Sequence, residues 1–293
     1  MSVLIAGAGG QLGLDLLDAF ADHSIVALTR ADLDIGDGSA VLDAVQSHVP
    51  ALVINAGAWT DVDGCESNPE RAHRVNALGP WWLARACETV KATLVHVSTD
   101  YVFDGDAPIN PSGTPRGWTE FDRMDPINTY GRTKAAGEHL IRQTLPAHHV
   151  VRTAWVNGAR GSNFVRTMLR LADDGRPIRV VDDQTGSPTF THDLAAAIRE
   201  LADTNLYGTV NRTNTGHTTW YGLARAIFDL ADLDVDLSRQ SSAEMKRPAP
   251  RPRWSVLDDT HATTIGLTRL RPWQDALHDL LIELGRVNDA SRR

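Results

Sequence analysis

The run Ser2-Val3-Leu4-Ile5-Ala6 is apolar almost throughout and passes directly into Gly7-Ala8-Gly9-Gly10-Gln11-Leu12-Gly13. Leu14, Leu16, Leu17, Ala19 and Phe20 then recur at helical spacing. A strand of this kind has to be covered on both faces, as in the parallel sheet of an α/β fold. Glycines at Gly7, Gly10 and Gly13 let the backbone turn tightly, approach a ligand closely and pack the following helix on the strand. The start of that helix offers unpaired N–H groups and a positive dipole end to phosphate. The spacing is G-x-x-G-x-x-G, blurred toward G-x-G-x-x-G by Gly9. Between a buried strand and a helix it reads as a dinucleotide site rather than a plain loop.

Strands and helices go on alternating. Ser24–Leu28, Ala51–Ile54 and Ala92–Val97 read as strands and Asn76–Cys87 as a helix, the order of a doubly wound parallel sheet. At 293 residues the chain is long enough for a cofactor lobe, residues 1–151, and a smaller α/β substrate lobe, residues 152–293. In the second lobe, helices are expected over Asn163–Asp173, with Phe164, Met168 and Leu171 on one side, and over Trp220–Ala231. A third is expected over Trp273–Leu284, with a stripe of Ala276, Leu277, Leu280, Leu281 and Leu284. Residues 104–125, rich in Pro, Gly and Asp, read as a functional loop of the lid type, and Asn288–Arg293 as a polar tail.

Composition excludes several classes of partner. A net charge of −8 without a basic run argues against nucleic acid and against an anionic membrane surface. No apolar stretch approaches the ~20 residues of a membrane span, and the opening strand leaves no room for a signal peptide. Cys65 and Cys87 form no disulfide framework and no metal spacing, so a reducing cytoplasm is expected. The 11 histidines show no ligand spacing, and Asp182 and Asp183, adjacent on a strand, point to opposite faces. No metal site is predicted.

Three features carry chemistry. Thr29-Arg30 follows the second strand where an NAD site usually has a carboxylate, and none occurs before Asp32. A hydroxyl and a guanidinium suit a 2′-phosphate, which predicts NADPH over NADH, although Arg30 can equally be a plain surface residue. Asn55-Ala56-Gly57-Ala58 and Ser98-Thr99-Asp100 end the third and fourth strands, at the edge where ligands sit in open α/β sheets. Tyr130 and Lys134 stand at i and i+4, on one face of a helix. A cation beside a phenol, which titrates near pH ~10 when free, is expected to lower its pKa and make it an acid and base.

Taken together, these residues resemble the extended short-chain dehydrogenase/reductase superfamily and, more narrowly, the dTDP-4-dehydrorhamnose reductase family. The narrow likeness lies in Ser98-Thr99-Asp100-Tyr101-Val102-Phe103-Asp104-Gly105, Arg152-Thr153-Ala154-Trp155-Val156, Asn163-Phe164 with Met168, and Asp183-Gln184-x-Gly186-x-Pro188-Thr189. It continues through Thr218-Thr219-Trp220 and Arg247-Pro248, with Arg251-Pro252 and Ser255 downstream. Residues 104–129 are longer than that family leads one to expect. The resemblance implies a Rossmann-type sheet to which segments of the second lobe return, so the boundary near 152 is approximate.

It implies Tyr130 as the proton donor to a 4-keto sugar, Lys134 as its partner and the anchor of the nicotinamide ribose, and Thr99 as hydrogen-bond donor to the ketone. Ser98 is the alternative to Thr99. The cofactor would be held by Gly7, Gly10, Gln11, Leu12, Gly13, Arg30, Asp34, Ile35, Asn55, Ala56 and Gly57, together with Tyr130 and Lys134. It would be NADPH, with NADH possible. Thr60, Val62, Tyr101, Trp155 and Arg247 would meet the nucleotide-sugar substrate beside Thr99 and Tyr130. Arg247, Arg251 and Arg253, in a Pro-broken segment, could face its diphosphate or be solvated. Some relatives hold Mg²⁺ at a dimer contact near the first helix, where Asp15 stands here, so Mg²⁺ is left open, as is monomer or homodimer. The alternatives are a non-catalytic NADP-binding regulatory subunit and a reductase or epimerase of another nucleotide sugar.

Overall fold

The structure is a computed structural model that describes residues 1–288; the expected polar tail falls, after Asn288, outside the described residues. Six parallel strands make the central sheet: β1 (Ser2–Ala6), β2 (Ser24–Leu28), β3 (Leu52–Asn55), β4 (Thr93–Thr99), β5 (His148–Thr153) and β6 (Gly208–Asn211). They lie in the order β6-β5-β4-β3-β1-β2. The longer helices are α1 (Gln11–Ala19), α2 (Gly38–His48), α3 (Gly79–Val90), α4 (Thr129–Thr144), α5 (Phe164–Asp173), α6 (Thr191–Ala202), α7 (Trp220–Leu230) and α8 (Trp273–Glu283).

Successive side chains of a strand face opposite ways, and here both faces are apolar. Val3 and Ile5 join Leu52, Ile54, Val95 and Val151 under α1 and α6. Leu4 and Ala6 join Val53, Leu94 and Val150 under α2, α3 and α4. This double cover is why the strands read as unbroken apolar runs. From β1 the chain winds out to β2 and then back to β3 and β4 on the other side. The crevice at that reversal is where open α/β sheets bind ligands.

Beyond residue 152 the chain serves two apolar clusters. β6 pairs with β5 and α6 covers the sheet, while α5, α7 and α8 enclose a separate cluster with the strand Ile178–Val181. Among the described residues no helix is long and apolar enough to cross a membrane.

Two local expectations, on a helix and on the end of β4, are corrected. The helix expected over Asn76–Cys87 is a π-helical turn, Arg74–Leu78, running into α3, which continues to Val90. On α5, Phe164, Met168 and Leu171 all pack into the second apolar cluster, as expected, and Val165 and Leu169 are buried there with Met168. β4 extends through Thr99, so Ser98 and Thr99 belong to one strand and point to opposite faces. In the segment of residues 104–125, Trp118 N–H donates to Val256 O over 2.8 Å and its carbonyl accepts from Asp258 N over 2.8 Å. The Trp118 ring stacks on Phe103 at 4.6 Å.

Under the active edge of the sheet, Glu138 of α4 is fully buried and accepts from Ser98 Oγ at 2.6 Å, from Arg152 Nη2 at 2.8 Å and from Arg142. Burial pushes this carboxyl up, but Arg152, with Arg142 and Ser98, outweighs it and holds the pKa below the usual glutamate value. A carboxyl depressed by folding stabilises the protein above its unfolded pKa, and that contribution fades as pH falls. Glu138→Gln, which leaves the buried Arg152 without its counter-charge, is expected to lose about 3–5 kcal/mol in urea unfolding at neutral pH. The variant should also lose less stability than the wild type on acidification. A loss under about 0.5 kcal/mol, the size of an ordinary surface substitution, contradicts this account.

Candidate active site

The site grows from the carboxyl ends of β1, β3 and β4. Gly7 has a φ of +83°, and a Cβ there would stand 2.6 Å from Gly57 N. A Cβ on Gly13 would stand 2.2 Å from Gly7 O. Both positions therefore need glycine: one for the left-handed turn and close approach, the other for the packing of α1 on the turn. Gly10 caps α1 without a side-chain bond, and the first turn of α1 has no acidic residue. Its N–H groups are left for an anion, and a dinucleotide pyrophosphate fits this cradle.

Two hollows adjoin there. Gly7, Gly10, Arg30, Asp34, Ile35, Ala56 and Gly57 line the outer one. Gln11, Leu12, Gly13, Thr60, Val62, Thr99, Tyr101, Tyr130, Lys134 and Trp155 line the inner one, which Gly10 and Ala56 share. Asn55 is buried behind the wall and accepts from Gly57 N at 3.0 Å. Arg247 does not line either hollow. It is held by Asp63 at 3.1 Å, as is Arg251 at 3.0 Å, and both guanidinium charges are felt at Tyr101. In the outer hollow, Arg30 is exposed, Asp34 pairs with Arg74 at 2.9 Å and Thr29 donates to Asp32 at 2.6 Å. Asp15 pairs with Arg160, Asp182 with Arg239, and Asp183 accepts from Ser242.

Local sequence explains how Tyr130 is placed. Asn128 caps α4 by accepting from Gly131 N at 2.8 Å, which sets Tyr130 in the first turn. A Cβ on Gly131 would meet Tyr101 O at 2.1 Å, so only glycine lets α4 come this close. The Tyr101 and Tyr130 rings meet edge to face at 5.7 Å. Thr99 Oγ1 donates to Asp100 Oδ1 at 2.9 Å and lies within hydrogen-bonding reach of Tyr130. Ser98 is engaged by Glu138 on the opposite face.

The expectation that Lys134 lowers the Tyr130 pKa is overturned in this structure. Burial raises the phenol's pKa above its ordinary value, and the Thr99 hydrogen bond offsets that only in part. Lys134, 1 % exposed, instead donates to Val97 O at 2.7 Å and stands 3.1 Å from His96 Nε2. Spacing sees the shared helix face but not the desolvation of the phenol or the carbonyl that claims the ammonium. Burial also lowers Lys134 to about 8, against the opposing charge of Glu138.

The surroundings of several residues carry no signal in the sequence. Asn76, buried in the π-helical turn, brackets Trp59 by accepting from its N at 2.8 Å and donating to its O at 3.0 Å, which fixes the loop leading to Thr60 and Val62. Asp100 is buried beside Thr99 with Oδ2 unpartnered, and burial pushes its carboxyl up to about 7. Trp155 has a φ of +47° and stacks on Trp220 at 3.5 Å. A bulky residue held in that conformation is a mark of a functional site.

The chain matches the family model described as the RmlD substrate binding domain over residues 1–286. It is 44% identical over 296 residues to the dTDP-4-dehydrorhamnose reductase of Mycobacterium tuberculosis, covering 99% of this chain and 96% of that one. It is 43% identical over 285 residues to the enzyme of that name from Mycolicibacterium smegmatis, covering 94% and 84%. The dTDP-4-dehydrorhamnose reductase of Bacillus anthracis in complex with NADP superposes with a TM-score of 0.91 at 37% identity, over 96% of this chain and 99% of that one.

Because a Cβ on Gly13 collides with backbone, Gly13→Ala is expected to raise the Kd for NADPH, read by fluorescence titration, at least ~10-fold, or about 1.4 kcal/mol. An unchanged Kd removes the glycine turn from the cofactor site.

Proposed function

This chain belongs to the family of the RmlD substrate binding domain, and from that premise we propose that it reduces the C4 ketone of dTDP-4-dehydro-6-deoxy-L-mannose to dTDP-L-rhamnose with NADPH. The observation that carries the reading is the single cleft lined by Thr99, Tyr130 and Lys134 together with the glycine turn. The names of relatives sharing some two-fifths of its residues along nearly the whole chain support the substrate, and the NADP complex of the Bacillus anthracis protein supports the cofactor.

The glycine turn and the start of α1 would hold the pyrophosphate, Arg30 would meet the 2′-phosphate, and Lys134 would anchor the nicotinamide ribose. When bound, the reduced nicotinamide supplies a hydride to C4 of the sugar. Tyr130 Oη gives its proton to the ketone oxygen; burial keeps this phenol protonated until that moment. Thr99 Oγ1 donates to the same oxygen and stabilises the charge that develops there. Lys134 returns a proton to Oη. The ketone gains one hydride and one proton, and one NADPH becomes NADP⁺.

Thr60, Val62, Tyr101 and Trp155 shape the sugar pocket, and the Trp155–Trp220 stack gives it a flat apolar wall. Arg247 would engage the nucleotide end of the substrate on leaving Asp63. The same reading sets the protein in the reducing cytoplasm, with Cys65 and Cys87 as buried thiols, acting as monomer or homodimer.

The test is NADPH oxidation with the 4-keto sugar nucleotide, formed in place by its 3,5-epimerase. Tyr130→Phe is expected to lower kcat by ~10²–10⁴-fold while NADPH still binds. A Tyr130→Phe enzyme of near wild-type rate sinks the assignment, and wild-type protein that binds NADPH without turnover favours a non-catalytic role. The pH profile gives a second expectation. Tyr130 stays protonated in the alkaline range, so Lys134 loses its proton first, and kcat/KM should fall as pH rises through about 8. A flat profile through that range contradicts the role of Lys134.

A further inference from the structure

Behind the cleft a line of buried polar atoms leads to Lys134, through a histidine to which the reaction above gives no part. Gly57 N donates to Asn55 Oδ1 over 3.0 Å, Asn55 Nδ2 stands 3.0 Å from His96 Nδ1, and His96 Nε2 stands 3.1 Å from Lys134 Nζ. Asn55 and His96 are wholly buried.

One end fixes the direction of the line. A backbone N–H can only donate, so the Asn55 atom facing Gly57 is the oxygen, and the atom facing His96 is the amide nitrogen, another donor. His96 Nδ1 therefore accepts. Burial, and the Lys134 charge beside it, keep the ring from taking a second proton. A neutral imidazole carries a single proton, which then sits on Nε2 and points at Lys134 Nζ.

We propose that His96 is a positioning residue for Lys134: held by Asn55 and Gly57 as the Nε2–H tautomer, it presents a donor to a nitrogen that, as ammonium, has nothing to accept with, and so readies Lys134 to release a proton. This rests on the role given to Lys134 above and deepens it. A lysine so placed can hand a proton back to Tyr130 after each turnover, where a permanent ammonium could only supply charge. Val97 O, 2.7 Å from Nζ, holds the nitrogen in both states, because amine and ammonium alike can donate to it.

The groups facing the pair are few. Glu138, one turn along α4, favours the ammonium, but Arg152, Arg142 and Ser98 already engage it. Tyr130, one turn back, is uncharged. From β3 and β4 come the neutral Asn55 and the Val97 carbonyl.

Neutron diffraction from deuterated crystals of the NADP⁺-bound enzyme reads the tautomer directly, with deuterium expected on His96 Nε2 and none on Nδ1. Deuterium on Nδ1 overturns the proposal and leaves the reductase reading untouched. His96→Gln can offer an amide oxygen to the ammonium, and its alkaline limb of kcat/KM is expected to rise by about one pH unit, a tenfold change in proton affinity. Asn55→Asp reverses the line, since a carboxylate accepts from both Gly57 N–H and His96 Nδ1–H, and is expected to move the limb the same way. It serves where His96→Gln does not fold. A limb that stays in place in a folded variant that binds NADPH overturns the proposal, whereas loss of all turnover in the wild type would tell against the reductase reading instead.

Discussion

Lys134 is buried almost completely, and an ammonium in such a place is tolerated only where fixed groups replace the water it has lost. Val97 O and Glu138 are those groups, with the His96 ring set beside them, and each is fixed in turn. The carbonyl belongs to β4 in mid-sheet, the imidazole is held by Asn55 at the end of β3, and the carboxylate is clamped by Arg152 of β5. One strand thus meets Lys134 of α4 directly, and its two neighbours hold the side chains beside it. The catalytic face of that helix cannot slide or rotate without breaking a buried contact, and this rigidity is what Tyr130, one turn earlier, inherits.

The sheet supplies the other half of the arrangement. Because the strand order reverses at β1 and β3, the glycine turn after β1 and the Asn55–Gly57 segment after β3 come into contact, and β4 brings Thr99 to the same edge. The cofactor cradle and the proton donor are thus built on neighbouring strand ends of one rigid layer, the condition for holding reacting groups in register. The second apolar cluster closes the cleft from the far side with the stacked pair Trp155 and Trp220.

What could be read from the sequence was what local pattern determines. The apolar runs of β1 and β3 and the glycines between strand and helix declare a double-sided sheet and a phosphate turn, because burial on both faces and a Cβ-free turn leave direct marks in composition. Tyr130 and Lys134 declare a shared helix face. Their environment could not be read. His96 sits in an apolar run as an ordinary core residue, and Glu138 is one more charged position on a helix. Only the pairing of β3, β4 and β5 brings them to Lys134. The direction of the Tyr130 shift came out wrong for the same reason, since spacing reports proximity and says nothing of desolvation. The π-helical turn at Asn76 and the left-handed Trp155 are likewise products of tertiary packing. Arg247 was singled out by the resemblance and by its Pro-broken segment, yet in the structure it pairs with Asp63 and lines neither hollow.

The most direct test follows the transferred hydrogen itself. NADPH carrying deuterium at both nicotinamide C4 positions is reacted with dTDP-4-dehydro-6-deoxy-L-mannose, and the sugar product is read by NMR and mass spectrometry. The account predicts dTDP-L-rhamnose with a single deuterium, at C4 of the sugar. A product without that label, or tight NADPH binding with no reduced sugar formed, would contradict it.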